Sequence, residues 1–143
     1  MQDTSRAPLR LEWDSSASWV TATISLPGKA SPLVSTVSKV RSLSHSLGIT
    51  DADIAFAFGV RARSVQRWWS GESRPSYERE RRLLEFAYVL DELQKVLKPD
   101  AARDWLMAPN RELDHDSPAE RVARGDYRRV LELVDAMADG VFV

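Results

Sequence analysis

The 143-residue chain contains no cysteine, which removes disulfide frameworks, thiolate nucleophiles, cysteine zinc sites and iron–sulfur ligation together. Histidine is almost as scarce, with His45 and His115 the two examples. A His-rich metal site is excluded, and little material is left for a nucleophile–His–carboxylate relay. There is no phosphate loop, no Gly-rich dinucleotide fingerprint and no placeable pair of catalytic carboxylates. No apolar run approaches the ~18–20 residues of a membrane span, and the first residues lack the basic-then-apolar pattern of a secretory signal. The expectation is a soluble, cytoplasmic protein that is not an enzyme, holds no metal or cofactor and has no membrane partner. A hydrophobic content of 43% and a charged content of 29% suit one compact domain with an appended arm.

The net charge of −1 is a cancellation between regions. Residues 1–32 balance three basic against three acidic side chains, residues 33–98 carry eleven against eight, and residues 99–143 carry six against ten. Such asymmetry points to different partners for different regions.

Residues 1–32 are rich in Ser, Thr and Pro and read as an arm, either disordered or holding a short strand over 18–26 before the Pro27-Gly28 turn signal. From Leu33 the period changes: Leu33, Val37, Val40, Leu43 and Leu47 form one helical stripe ending at Gly48. Thr50 and Asp53 read as a cap opening a helix over 51–58, stopped by Gly59. A third helix spans 63–70 and closes at Gly71. A long helix over 79–97 is apolar around much of its girth and is expected to be buried. Pro99 opens a further helix through Trp105 and Met107. Ser117, Pro118 and Glu120 form a capping box for a short helix ending at Gly125. A last helix over 127–139 places Val130, Leu131, Val134 and Met137 on one face and leads into the apolar Val141-Phe142-Val143.

The stretch 50–71 carries the most specific local signal, a helix-turn-helix. Two short helices cross at a fixed steep angle when a small residue lies at their contact, a permissive residue sits in the turn and apolar side chains lock the pair. Ala55, Gly59 and the set Ile54, Phe58, Val60, Val65 and Trp68 fill those roles in the required spacing. Arg61, Arg63, Ser64, Gln66 and Arg67 then face outward, within a segment 59–82 of seven arginines and three glutamates. Arg pairs bidentately with guanine and Gln with adenine, each good pair discriminating by ~1–3 kcal/mol. Arg63, Ser64, Gln66 and Arg67 are therefore candidates for base contact, and Arg61, Arg74 and the Arg79, Arg81, Arg82 group for phosphate. The expected partner is operator duplex DNA, read by a homodimer over half-sites about 34 Å apart. The plainer reading is a solvated basic face of a protein-binding bundle. Trp69 is expected to pack rather than to stack on bases, and Asn110 to make a local cap. Trp105 and Met107 are expected in the core and His45 in solvent. His115, between Asp114 and Asp116, sits where adjacent side chains cannot converge on one ion, so a solvated loop is expected.

In the C-terminal third, Trp105-Leu106-Met107, Pro109-Asn110, Leu113, Ser117-Pro118 and Gly125-Asp126-Tyr127 occur in order, followed by Val130 through Asp135-Ala136-Met137 and Gly140. Together with the preceding helix-turn-helix this resembles the Xre/MbcA/ParS antitoxin family, its mycobacterial MbcA branch above all, over residues 33–143. The resemblance implies an all-α protein in three parts: the arm 1–32, an Xre-like helix-turn-helix module 33–98 and a toxin-binding module 99–143. It further implies an antitoxin of a type II pair that binds a RES-domain, NAD-degrading toxin and represses the shared operon. By position, the neutralising surface is Tyr127, Val134, Asp135, Met137 and Asp139 of the last helix with Gly140, Val141, Phe142 and Val143 of the tail. Some members end in a polar or basic residue, whereas this chain ends Val-Phe-Val, which puts a polar plug of the toxin site in doubt. An exposed apolar tail suits an anchor in a partner pocket, and Asp126, Glu132, Asp135 and Asp139 suit arginines across an interface. The alternatives are a tail folded on its own core, or a one-component repressor whose C-terminal module dimerises or binds a ligand.

Overall fold

The computed structural model describes residues 32–140, with side chains from Thr36 onward. Seven α-helices and one 3-10 turn make up the regular structure, with no strand among the described residues. The all-α expectation holds. The arm up to residue 31, with its candidate strand over 18–26, and the tail residues Val141, Phe142 and Val143 lie outside the described residues.

Helix α1 (Pro32–Ser46) buries Val37, Val40, Leu43 and the following Leu47. It closes at Gly48, whose φ of +73° is easy only for glycine, and the Ile49 N–H donates to the Ser44 carbonyl at 2.8 Å. Helix α2 (Asp51–Phe58) has the expected cap in both directions. The Asp53 N–H donates to Thr50 Oγ1 at 3.1 Å and the Thr50 N–H to Asp53 Oδ2 at 3.0 Å. Helix α3 (Ala62–Ser70) follows after a three-residue turn.

Helix α4 (Tyr77–Leu93) differs at both ends from the expected 79–97. Ser76 caps its start, accepting from the Arg79 N–H at 3.2 Å. At its far end the bonds tighten to the i→i+3 type, Lys95 to Glu92 and Val96 to Leu93. Lys98 must be extended, with ψ 159°, because proline follows it. Helix α5 (Pro99–Met107) then starts on that proline. A 3-10 turn (Arg111–Leu113), α6 (Pro118–Ala123) and α7 (Tyr127–Ala138) complete the chain order.

Helix α4 is the centre of the packing. Leu83, Phe86, Ala87, Val89, Leu90 and Leu93 are all fully buried, with α1, α6 and α7 packed around them. Phe58 of α2 meets Phe86 edge to face, with ring centroids 5.7 Å apart. A second link joins α5 to α2: Arg103 Nε donates to Asp53 Oδ2 at 3.0 Å and Nη2 to Oδ1 at 3.1 Å. The carboxylate that caps α2 therefore also receives α5. A single buried cluster runs from Val40 to Val134, across the boundary expected at 98/99.

Phe86→Ala should cost about 3–5 kcal/mol in urea unfolding, the usual penalty for emptying a buried aromatic site. A loss under ~1 kcal/mol would contradict this central placement.

Candidate functional site

The α2–α3 pair brings the lock residues together. Gly59 takes φ +67°, and the Val60 N–H returns to the Ala55 carbonyl at 3.0 Å. Ile54, Ala55, Phe58, Val65 and Trp68 are buried, with Val60 packed at the edge. With Val65 and Trp68 inward, Arg61, Arg63, Gln66 and Arg67 are exposed, as is Arg74 beyond the helix, while Ser64 is half-buried. Helix α3 has no acid in its first turn and no side-chain cap, so its positive end faces outward uncompensated. Arg67 lies 3.6 Å from the Glu72 carboxylate, both exposed, a pair easily exchanged for another anion. Trp69 is half-buried, and its indole N–H donates to Asp51 Oδ1 at 2.8 Å. That bond fixes it as a packing residue.

Arg82 departs from its expected role at phosphate. It lies between Glu78 and Glu85 along α4, with a side chain 17% exposed, and its guanidinium abuts Gly125. A Cβ at Gly125 would stand 2.8 Å from Arg82 Nη2. The arginine is thus part of the packing of α4 against the α6–α7 turn.

In the acidic third, one arginine organises the loops. Arg121 donates to Asp116 at 2.9 Å, Asp126 at 3.0 Å, Asp114 at 3.2 Å and the Leu113 carbonyl at 2.9 Å. Arg124 adds a second bond to Asp116 at 2.7 Å. The Arg121 hydrogen bond, assisted by Arg124, holds the Asp116 carboxyl below the usual carboxylate range. Asn110 knots the same loop, its Oδ1 accepting from the Glu112 N–H at 2.8 Å and its carbonyl from Leu113 and His115, both at 2.9 Å. His115 is exposed on a left-handed backbone, φ +72°, and no cluster fit for a metal ion occurs among the described residues. Trp105 and Met107 pack half-buried against the core.

Helix α7 divides its residues sharply. Val130, Leu133 and Val134 are buried, Val134 at 1% exposure, so Val134 serves the chain's own core and is not offered as a contact. Its place on the apolar stripe dictates this. Tyr127, Leu131 and Met137 are half-buried at the edge of that core. Of the acids, Asp126 is engaged by Arg121, and Glu132 by Arg129 at 3.0 Å. Asp135 and Asp139 are exposed with no side-chain partner among the described residues. Gly140, at φ +88°, turns the chain off the helix.

These features define a helical module built for binding. Residues 92–140 match the family described as the antitoxin Xre/MbcA/ParS C-terminal toxin-binding domain. The chain is 45% identical over 106 residues to the mycobacterial cidal antitoxin MbcA of Mycobacterium tuberculosis, covering 74% of this chain and 94% of that protein. It is 33% identical over 96 residues to the probable mycobacterial cidal antitoxin Rv3188 of the same species, covering 67% and 82%. The crystal structure of the M. tuberculosis MbcT-MbcA toxin-antitoxin complex contains a chain that superposes with a TM-score of 0.65 at 44% identity, covering 75% of this chain and 96% of that one. The chain belongs to the Xre/MbcA/ParS antitoxin family, and its nearest likeness among these relatives is to MbcA. Members of this family act by binding a toxin rather than by catalysis. No helix among the described residues is long and apolar enough to cross a membrane.

Two features escaped the sequence. The Arg121 hub joins residues that are scattered along the chain, and only the alternation of Asp and Arg over 114–126 hinted at it. Phe56 is 67% exposed, although its apolar neighbours on α2 gave no sign that it would differ from them.

The folded value of Asp116 lies below the ordinary 3.8. Its contribution to stability is therefore present above the unfolded value and is lost as the pH falls through the folded one. Asp116→Asn should lower the melting temperature at about pH 7 and change it little at about pH 2. Equal losses in thermal melts at both pH values would contradict the ion pair.

Proposed function

We propose that this antitoxin neutralises a RES-domain, NAD-degrading toxin by covering its active-site cleft with α7 and the tail. We further propose that it represses its own operon as a cytoplasmic homodimer through α3. The observation that carries the first half is the outer strip of α7. Asp135 and Asp139 stand there unpaired beside the half-buried Met137, inside the segment 92–140 that matches the toxin-binding domain. Acids without internal partners are free to pair across an interface, where burial strengthens each hydrogen-bonded charge pair. Gly140, at φ +88°, closes the helix with a left-handed residue just before the apolar Val141, Phe142 and Val143. The apolar Val141, Phe142 and Val143 suit steric obstruction by a buried anchor.

The second half rests on α3. Arg63, Gln66 and Arg67 of α3 are exposed, and the N-cap Arg61 before it and Arg74 beyond it add exposed charge. This is the inventory for reading a major groove while holding the backbone. The main neighbours of α3 are α1 and α2, whereas those of α7 are α4 and α6. The two surfaces are therefore separately addressable.

Co-expression with the adjacent toxin gene separates the roles. Asp135→Arg/Asp139→Arg, and a chain ending before Gly140, should lose growth rescue and leave cellular NAD depleted while still shifting promoter DNA in a gel. Arg63→Ala/Gln66→Ala should rescue growth and keep NAD, but lose at least about tenfold in operator affinity. Full protection by both α7 variants would refute the neutralising surface and favour a one-component repressor.

A further inference from the structure

Neither proposed surface uses the opposite end of the helix-turn-helix, where a cleft of about 830 Å³ opens between α1, the α1–α2 turn and the end of α3. This is a volume in the range of small-molecule sites. Its wall has an ordered polarity. Arg41 and His45 lie one turn apart on the exposed strip of α1, and Arg41 has no ion-pair partner among the described residues. Asp51 occupies the other side, its carboxylate fixed by the Trp69 indole at 2.8 Å. Ile49 and Trp69 supply apolar surface.

Ser44 stands behind this wall, 2% exposed, with its hydroxyl sealed from solvent and without a hydrogen-bond partner.

We infer that this cleft binds a small ring-bearing molecule with an oxyanion at one end and a hydrogen-bond donor at the other. The oxyanion, a carboxylate or a phosphate, pairs with Arg41 and His45, since Asp51 repels it from the far side. The donor meets the Asp51 carboxylate, and the ring lies against Ile49 and Trp69. Arg63 and Gln66 of the α3 face and the whole of α7 take no part in the wall. The site therefore stands independently of the DNA and toxin readings.

The test is a ¹H–¹⁵N titration of the full chain with 4-aminobenzoate and, separately, adenosine 5′-monophosphate. Both carry a ring between an anion and an amine, and comparing them distinguishes carboxylate from phosphate. At least one should shift the Trp69 indole and the Ser44 and His45 amides saturably, with Kd below about 1 mM. Arg41→Glu should weaken that probe by roughly tenfold or more, with the remaining spectrum unchanged. Adenosine, lacking the phosphate, should bind at least about tenfold more weakly than its monophosphate if the phosphate arm is the one that saturates. Absence of saturation with both probes, shifts confined to other residues, or binding indifferent to Arg41→Glu would overturn the assignment.

Discussion

Everything in this fold leans on the burial of α4. Its inward residues from Leu83 to Leu93 are sealed by α1 on one side and by α6 and α7 on another, and Phe58 reaches Phe86 from α2. One helix thus forms the common wall of the basic α2–α3 pair and the acidic C-terminal helices. A chain of this size could not afford two separate cores. Sharing one has a mechanical consequence: α3 and α7 are held in fixed relation while each packs mainly against different helices. The Arg103–Asp53 pair reinforces that relation by tying α5 to the cap of α2.

Charge is distributed to match. Within the C-terminal third most acids are internal fasteners: Asp114, Asp116 and Asp126 converge on Arg121, and Glu132 is taken by Arg129. What α7 and its C-cap leave for a partner is the pair Asp135 and Asp139, with Asp100 and Asp104 of α5 also exposed and unpaired among the described residues. On the basic side the same sorting removes Arg82, held between two glutamates, and leaves the arginines of α3 and Arg74 outward. Net regional charge indicated two partners, but only the pairing pattern separates structural charges from available ones.

The helices were legible because their signals are local. Caps at Thr50 and Ser117, Pro99 and Pro118 at first helical positions, and glycines at 48, 59 and 71 act within one turn of where they stand. The end of α4 was missed because its apolar period continues through Leu97, whereas the backbone yields earlier to the extended Lys98. Val134 was misplaced as a contact for a related reason. Family position put it on the toxin-facing helix, but its own periodicity put it on the buried stripe. The Arg121 hub and the cleft beneath α1 depend on residues brought together from several elements, which no spacing rule reports. The likeness to MbcA supports a toxin as a partner of this chain, and the geometry shows which side chains of α7 are free to meet it under the proposed reading.

On the proposed reading, two separately presented surfaces share one core and α7 holds the toxin. Hydrogen exchange of the full chain with and without the co-expressed toxin tests this directly. Slowed exchange is expected in α7 and the residues following it, with α3 amides between Ala62 and Ser70 unchanged. Protection centred on α3, with α7 exchanging as in the free protein, would contradict it.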